Sequence, residues 1–350
     1  MDIDNDYKNS ILNYLKVYYA DILNFWIGKN EQNTGQGIQD HCDIIYILHL
    51  IDLFDIINYK SIKIFSTQIN QLNLPIFNQN KSADNLSIHN TAYLLGALNI
   101  LRLRGYDIYP EIINGKKKIE IQHLLNTSTK QPVYPTILSH HIWRVSHWIG
   151  GIPSIIYSLM MTGILYSEEL KQILNQTISA CDSLISSKTG LLKTYRNDNI
   201  HWFFRKVYSI RHNPDLGDIG GIVHLHWINY LLSRPYKSME ILYEKSIKYF
   251  LERHPFMENM PYCLDFDIVQ IIRTCVDQGV QLSDNVTTRT LQMMKDIESF
   301  FIERLNSEYK IHKLPGALAT YHECALLLNL NHLTAFKCIP KDIIKEAYWI

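Results

Sequence analysis

Two kinds of apolar segment alternate along the chain. Residues 6–27 carry Tyr7, Ile11, Tyr14, Leu15, Tyr18, Ile22, Phe25 and Trp26 at helical spacing, with Lys8, Asn13 and Lys16 off the stripe, which predicts an amphipathic helix wet on one side. The other kind is represented by NPDLGDIGGIVHLHWINYLL, Asn213 to Leu232, which holds no Lys, Arg, Asp or Glu after Asp218. A helix apolar nearly all round belongs inside the protein. Five further stretches follow that grammar: Gly35–Ile51, Lys81–Leu101, Arg144–Gly163, Pro261–Cys275 and Leu314–Leu330. Amphipathic segments at 55–72, 167–186, 236–252 and 285–307 separate them, with a short candidate at 119–125 and a last helix near 340–350.

An apolar helix needs cover on both sides and an amphipathic one on a single side. The alternation therefore predicts an all-α fold, one domain over 1–350, in which an inner ring of six helices is wrapped by an outer ring, an (α/α)6 toroid. The inner helices of such a ring run the same way. Their N-termini, with free amides and positive dipole ends, converge on one face.

Composition narrows the partners. Lys and Arg number 34 and Asp and Glu 34, with no basic stripe, which gives no electrostatic reason to expect nucleic acid or an anionic membrane surface. A small neutral ligand is the expectation. The segment MDIDNDYKNS lacks the basic and apolar regions of a secretory signal, which points to the cytoplasm. Trp148 to Tyr166 runs 19 residues without a formal charge, but glycines, a proline and hydroxyl residues dilute it and favour a buried helix over a membrane span. The 6 cysteines form no CxxC pair, the pattern of reduced, buried thiols rather than disulfides.

The candidate chemistry gathers where the apolar helices begin. Asp84, Asp218, Asp265, His147 and His224 are the candidate acids and bases. Asp215 and Asp218, placed in the loop and first turn before the fourth apolar helix, have a second reading as N-caps. Asp265 and Asp267 stand two apart, so on a helix they diverge by about 200°; one is expected to face a cavity while the other caps or pairs with Arg273. Histidines recur at the same ends, at 41, 89, 140, 141, 147, 212, 224 and 322. His224 and His226 do not converge on a helix, and no Cys–His set has structural-zinc spacing, so neither metal nor cofactor is expected. Trp148, Trp202 and Tyr321 offer faces for stacking on a sugar ring, with Trp202, Phe203 and Phe204 assigned to a polar-aromatic loop. Arg144 and Arg211 suit a substrate carboxylate. His89, Asp215, Asp267 and His322 complete the candidate substrate-binding set.

Besides this alternation the chain carries TGLL at Thr189–Leu192 after an outer helix, then an aromatic segment and DIGG at Asp218–Gly221 opening an inner helix. In these features it resembles the six-hairpin glycosidase superfamily of toroidal hydrolases and lyases. The resemblance implies a carbohydrate-active enzyme, glycoside hydrolase or polysaccharide lyase in type, with a saccharide site at the N-terminal face of the inner helices. Glycoside hydrolysis asks for two carboxyl groups about 5 Å apart for retention or about 6.5–9.5 Å apart for inversion, and several pairs at the helix entrances are eligible. Two other readings remain open. LDFD at Leu264–Asp267 has a distant likeness to the acidic motif of class II cyclases, though it ends where that motif continues with more Asp; it would go with a terpene-cyclase or prenyltransferase-like toroid and an apolar cavity, while lanthionine-cyclase toroids fit less well, as their Cys–His zinc signature is missing. A non-catalytic binding module would have every entrance carboxylate engaged as a cap.

Overall fold

Helices are the regular elements throughout the residues that the computed structural model describes, namely 7–30, 37–71, 85–112, 147–163, 168–193, 197–210 and 214–350. Among them strand pairing is limited to two isolated bridges, Ile185 with Leu192 and Leu333 with Cys338. The helices are α1 (Tyr7–Tyr18), α2 (Ala20–Trp26), α3 (Ile38–Leu50), α4 (Tyr59–Gln71), α5 (Asn85–Leu103), α6 (Tyr109–Ile112), α7 (Ile152–Met161, entered through a π turn at His147–Gly151) and α8 (Glu168–Asp182). They continue with α9 (Asp198–Tyr208), α10 (Pro214–Leu231), α11 (Met239–Glu252), α12 (Cys263–Asp277), α13 (Asp284–Glu303), α14 (Leu314–Leu327) and α15 (Ile343–Ala347).

Burial separates the two kinds of helix that the pattern distinguishes. Every residue of α3 from His41 to Leu50 is buried, as are Leu264–Cys275 of α12 and Leu314–Ala325 of α14, polar side chains included. By contrast α13 buries Val286, Arg289, Thr290, Met293, Met294, Ile297, Phe300 and Phe301, a stripe at three- and four-residue spacing, and leaves its other face wet. The apolar helices are each other's neighbours. Helix α3 packs against α5, α5 against α7 and its π turn, the π turn against α10, α10 against α12, α12 against α14, and α14 against α3. The contact of the π turn with α10 depends on Gly150, where a Cβ would collide with the backbone of His224. Amphipathic helices cover this set: α2 lies on α3, α8 on α7, α11 on α12, and α13 on α14.

Three expectations are corrected. The stripe over 6–27 is two helices, because Tyr19 leaves helical geometry at φ −135° and its hydroxyl accepts from the Ile311 amide at 3.0 Å. Trp202, Phe203 and Phe204 lie on a helix: Asn197 caps α9 by accepting from the Ile200 amide, Asp198 follows in the first turn, and Arg205 and Lys206 stand in the last. Asp215 and Asp218 lie inside α10, whose N-terminus is Pro214, a residue suited to the first helical turn. The short helix expected at 119–125 falls outside the described residues.

The segment after α14 turns back into the molecule. The α15 helix packs on α5 and α10, and three successive carbonyls around its end are held by side chains of three different helices. Asn99 donates to Ala347 O at 2.9 Å, Ser154 to Tyr348 O at 2.8 Å and Tyr46 to Trp349 O at 2.6 Å. Gly96 makes room for this chain, since a Cβ there would collide with the Tyr46 hydroxyl and press on Trp349 O. Upstream, Arg273 of α12 binds Glu323, Asp277 and Asp342, and His49 Nε2 donates to Glu346 at 2.6 Å while its Nδ1 accepts from Arg104. Trp349 ends fully buried.

Candidate functional site

At the entrances of α3 and α14 a carboxylate and an imidazole meet a phenol from the middle of α5. Helix α3 starts where Asp40, three residues in, accepts from the Gly37 amide at 3.1 Å. One turn on stands Asp43, fully buried. Its Oδ1 accepts from the Tyr93 hydroxyl of α5 at 2.6 Å and from His312 Nδ1 at 3.0 Å. His312 lies in the 3-10 turn Ile311–Lys313 that leads into α14. Burial raises the Asp43 carboxyl, opposed by its bonds to His312 and Tyr93. Burial alone would lower His312, but the hydrogen bond and charge of Asp43 outweigh it and leave the imidazole raised above its ordinary value. With Nδ1–H committed to a carboxylate, Nε2 is the nitrogen left to exchange a proton. The side chain remains 44% exposed, so that proton has access to solvent or ligand.

Aromatic rings extend from this dyad. The Tyr93 ring stands edge-on to His312 at 5.4 Å, stacks on Tyr46 at 4.8 Å and 9°, and runs parallel to His89 at 6.1 Å. His89 meets Trp349 at 5.7 Å, and Trp349 contacts His224 at 4.8 Å and Trp227 at 5.1 Å. A continuous aromatic wall thus joins the entrances of α14 and α5 to the middle of α10.

The structure places the expected residues as follows. His224 and His89 belong to that wall; His224 Nδ1 donates to Gly220 O at 2.7 Å. Asp218 and Asp215 both bind Arg205 of α9, and Asp215 also accepts from Lys245 at 2.8 Å and Tyr249 at 2.9 Å. Asp265 is taken up by two backbone amides, Met257 at 2.8 Å and Tyr262 at 3.1 Å, and caps α12; burial outweighs these bonds and raises it to about 7. Asp267 is buried with its Oδ1 unpartnered among the described residues, and burial together with Asp265 holds it well above the usual carboxylate range. Arg273 pairs with neither. Trp202 is half-buried beside His201 on α9. The Tyr321 hydroxyl bonds Glu298 of α13, on the covered side of α14. His322 lies in the second half of α14, where Nε2 donates to Leu50 O at 2.8 Å and Nδ1 accepts from the Lys341 amide at 2.9 Å; burial lowers its pKa to about 3. His41 is enclosed by Phe25, Trp26 and Phe65, and burial lowers it to about 4. Asp84, Arg144 and Arg211, and the side chains of His147 and Trp148, lie outside the described residues.

Sequence reasoning missed Asp43, Tyr93 and His312. The signal was present for two of them: Asp43 lies in the opening turns of the first apolar helix, and His312 stands three residues before Pro315, which marks the start of α14. Among the described residues no group of three or more His, Cys, Asp or Glu side chains is arranged to hold a metal ion, and no helix is long and apolar enough to cross a membrane. No protein-family model, curated protein or solved structure matches the chain.

Proposed function

We propose that α3, α5, α7, α10, α12 and α14 form the inner ring of an (α/α)6 toroid and that Asp43, His312 and Tyr93 are the acid–base centre of an enzyme acting on a saccharide. The ring reading is supported by the order of neighbours, each apolar helix lying against the next and α14 against α3. The observation that carries the chemistry is the exposed His312 imidazole held through Nδ1 by a fully buried carboxylate. Such a pair orients the ring and stabilises its protonated form, which suits Nε2 to proton abstraction.

Within the carbohydrate-active class this geometry favours elimination over hydrolysis. Asp215, Asp218 and Asp265 are each engaged by cations or backbone amides, whereas His312 Nε2 offers the base that takes the proton α to a uronate carboxylate; the C–H electron pair becomes the C=C bond as the C–O bond on the β carbon breaks, and the leaving sugar oxygen is protonated by the imidazolium or by water. Beside the dyad, the half-buried His89, parallel to the buried Tyr93, is the ring left to meet a sugar. The test is turnover of a panel of uronate-containing oligosaccharides, read as release of the ultraviolet-absorbing unsaturated sugar. Wild type is expected to turn over at least one member, and His312→Gln to lose about a hundredfold or more of that rate. Equal rates in the two proteins would remove His312 from the chemistry, and an inert wild type would remove the lyase reading.

A further inference from the structure

Helix α9 has its polarity reversed. Its inward side carries the buried His201 and the half-buried Arg205, which reaches across to Asp215 and Asp218. Its outward side carries Ile200, Phe203, Val207 and, just past the helix, Ile210, exposed by 45, 63, 50 and 78%. These positions follow one another by three, four and three residues, so they form a straight stripe on one face. An amphipathic helix that serves only its own core presents that stripe inward.

The charge around the stripe departs from the balance of the chain. From residue 188 to 212 the sequence holds six Lys or Arg and a single acid, Asp198, in a protein with 34 of each sign overall. Of the six, Lys193 pairs with Asp198 and Arg205 is turned inward to Asp215 and Asp218, Arg196 and Arg211 lie outside the described residues, and Lys188 and Lys206 are exposed, Lys206 on α9 itself. We propose that α9 is a peripheral docking element for an anionic lipid surface, with Phe203, Val207 and Ile210 entering the headgroup–acyl boundary and Lys206 meeting the phosphates. An apolar face with basic residues beside it is the chemistry of an interfacial helix, and neither signal alone holds a protein firmly. Lipid docking needs no spanning helix. It would bring the start of α10, to which Arg205 ties α9, close to the membrane surface.

The test is co-sedimentation of the full chain with phosphatidylcholine vesicles prepared with and without phosphatidylglycerol, alongside Trp202 fluorescence. Wild type is expected to bind the anionic vesicles, to release as salt rises, and to ignore the neutral ones. Phe203→Ser with Ile210→Ser, both at exposed positions, is expected to weaken binding about tenfold or more with an unchanged melting temperature, and Lys206→Glu to weaken it without touching the apolar stripe. Absence of binding to anionic vesicles overturns the proposal, as does binding that the serine variant leaves intact. Self-association that the serine variant abolishes, without vesicle binding, assigns the stripe to a protein partner instead.

Discussion

Replacing Trp349 by alanine tests whether the segment after α14 is part of the core or lies on it. The indole is fully buried against His89, His224 and Trp227, and the Trp349 carbonyl accepts from Tyr46. A buried Trp removes on the order of 200 Å² from water, which at about 25 cal/mol per Å² is about 5 kcal/mol. Alanine recovers part of that area and the walls relax only in part, so the expected loss is about 4 kcal/mol, within the range for Trp-to-Ala changes in cores. Urea unfolding followed by far-UV circular dichroism, with the slope compared between proteins, reads the loss directly. The cavity left behind is apolar and indole-shaped. Added indole is therefore expected to raise the midpoint of the variant and leave wild type unmoved. A loss below about 1 kcal/mol, the level of an ordinary surface change, would refute the central position of this segment.

Two further outcomes follow from the ion pairs. Arg205→Met takes the guanidinium away from the buried Asp218, while Lys245 and Tyr249 still hold Asp215, and is expected to cost about 2–3 kcal/mol; a melting temperature equal to wild type would show that α9 does not depend on the pair. For His312, NMR titration is expected to find the imidazole raised above its ordinary value, and Asp43→Asn is expected to lower it, since burial then acts without the charge that opposes it. The sign for stability follows: the Asp43–His312 contribution is full below the unfolded histidine value, about 6.5, and is lost as pH rises through the folded one. An Asp43→Asn protein whose His312 titrates as in wild type would refute the dyad.

The apolar helices were legible in the sequence because a buried helix has no solvent face to write in polar residues. Asp215, Asp218 and Asp265 were legible as acids near the helix starts, and their partners were not. Asp218 reads as a cap or an acid until Arg205, on another helix, is seen to bind it. Asp265 shows the local case, where both amides that it accepts come from within eight residues. The Asp43–His312 pair spans 269 positions, and no periodicity reports contacts at that range. Trp202 to Phe204 were misread as a loop for a different reason: the apolar face of α9 points outward, so the rule that ties helical stripes to the core has nothing to grip.

The placing of Trp349 bears on when the protein becomes itself during synthesis. Its carbonyl bonds Tyr46, 303 positions earlier, Glu346 bonds His49, 297 earlier, and Tyr14 bonds Tyr309. Helices α3, α5 and α10, which supply the groups around Trp349, are all translated before it. Contacts of such separation are formed late and slowly, and until then the Tyr46 and Ser154 hydroxyls lack the carbonyls that they bind in the folded protein. The nascent chain is thus held open, and dependent on protection from aggregation, until α15 and Trp349 have emerged.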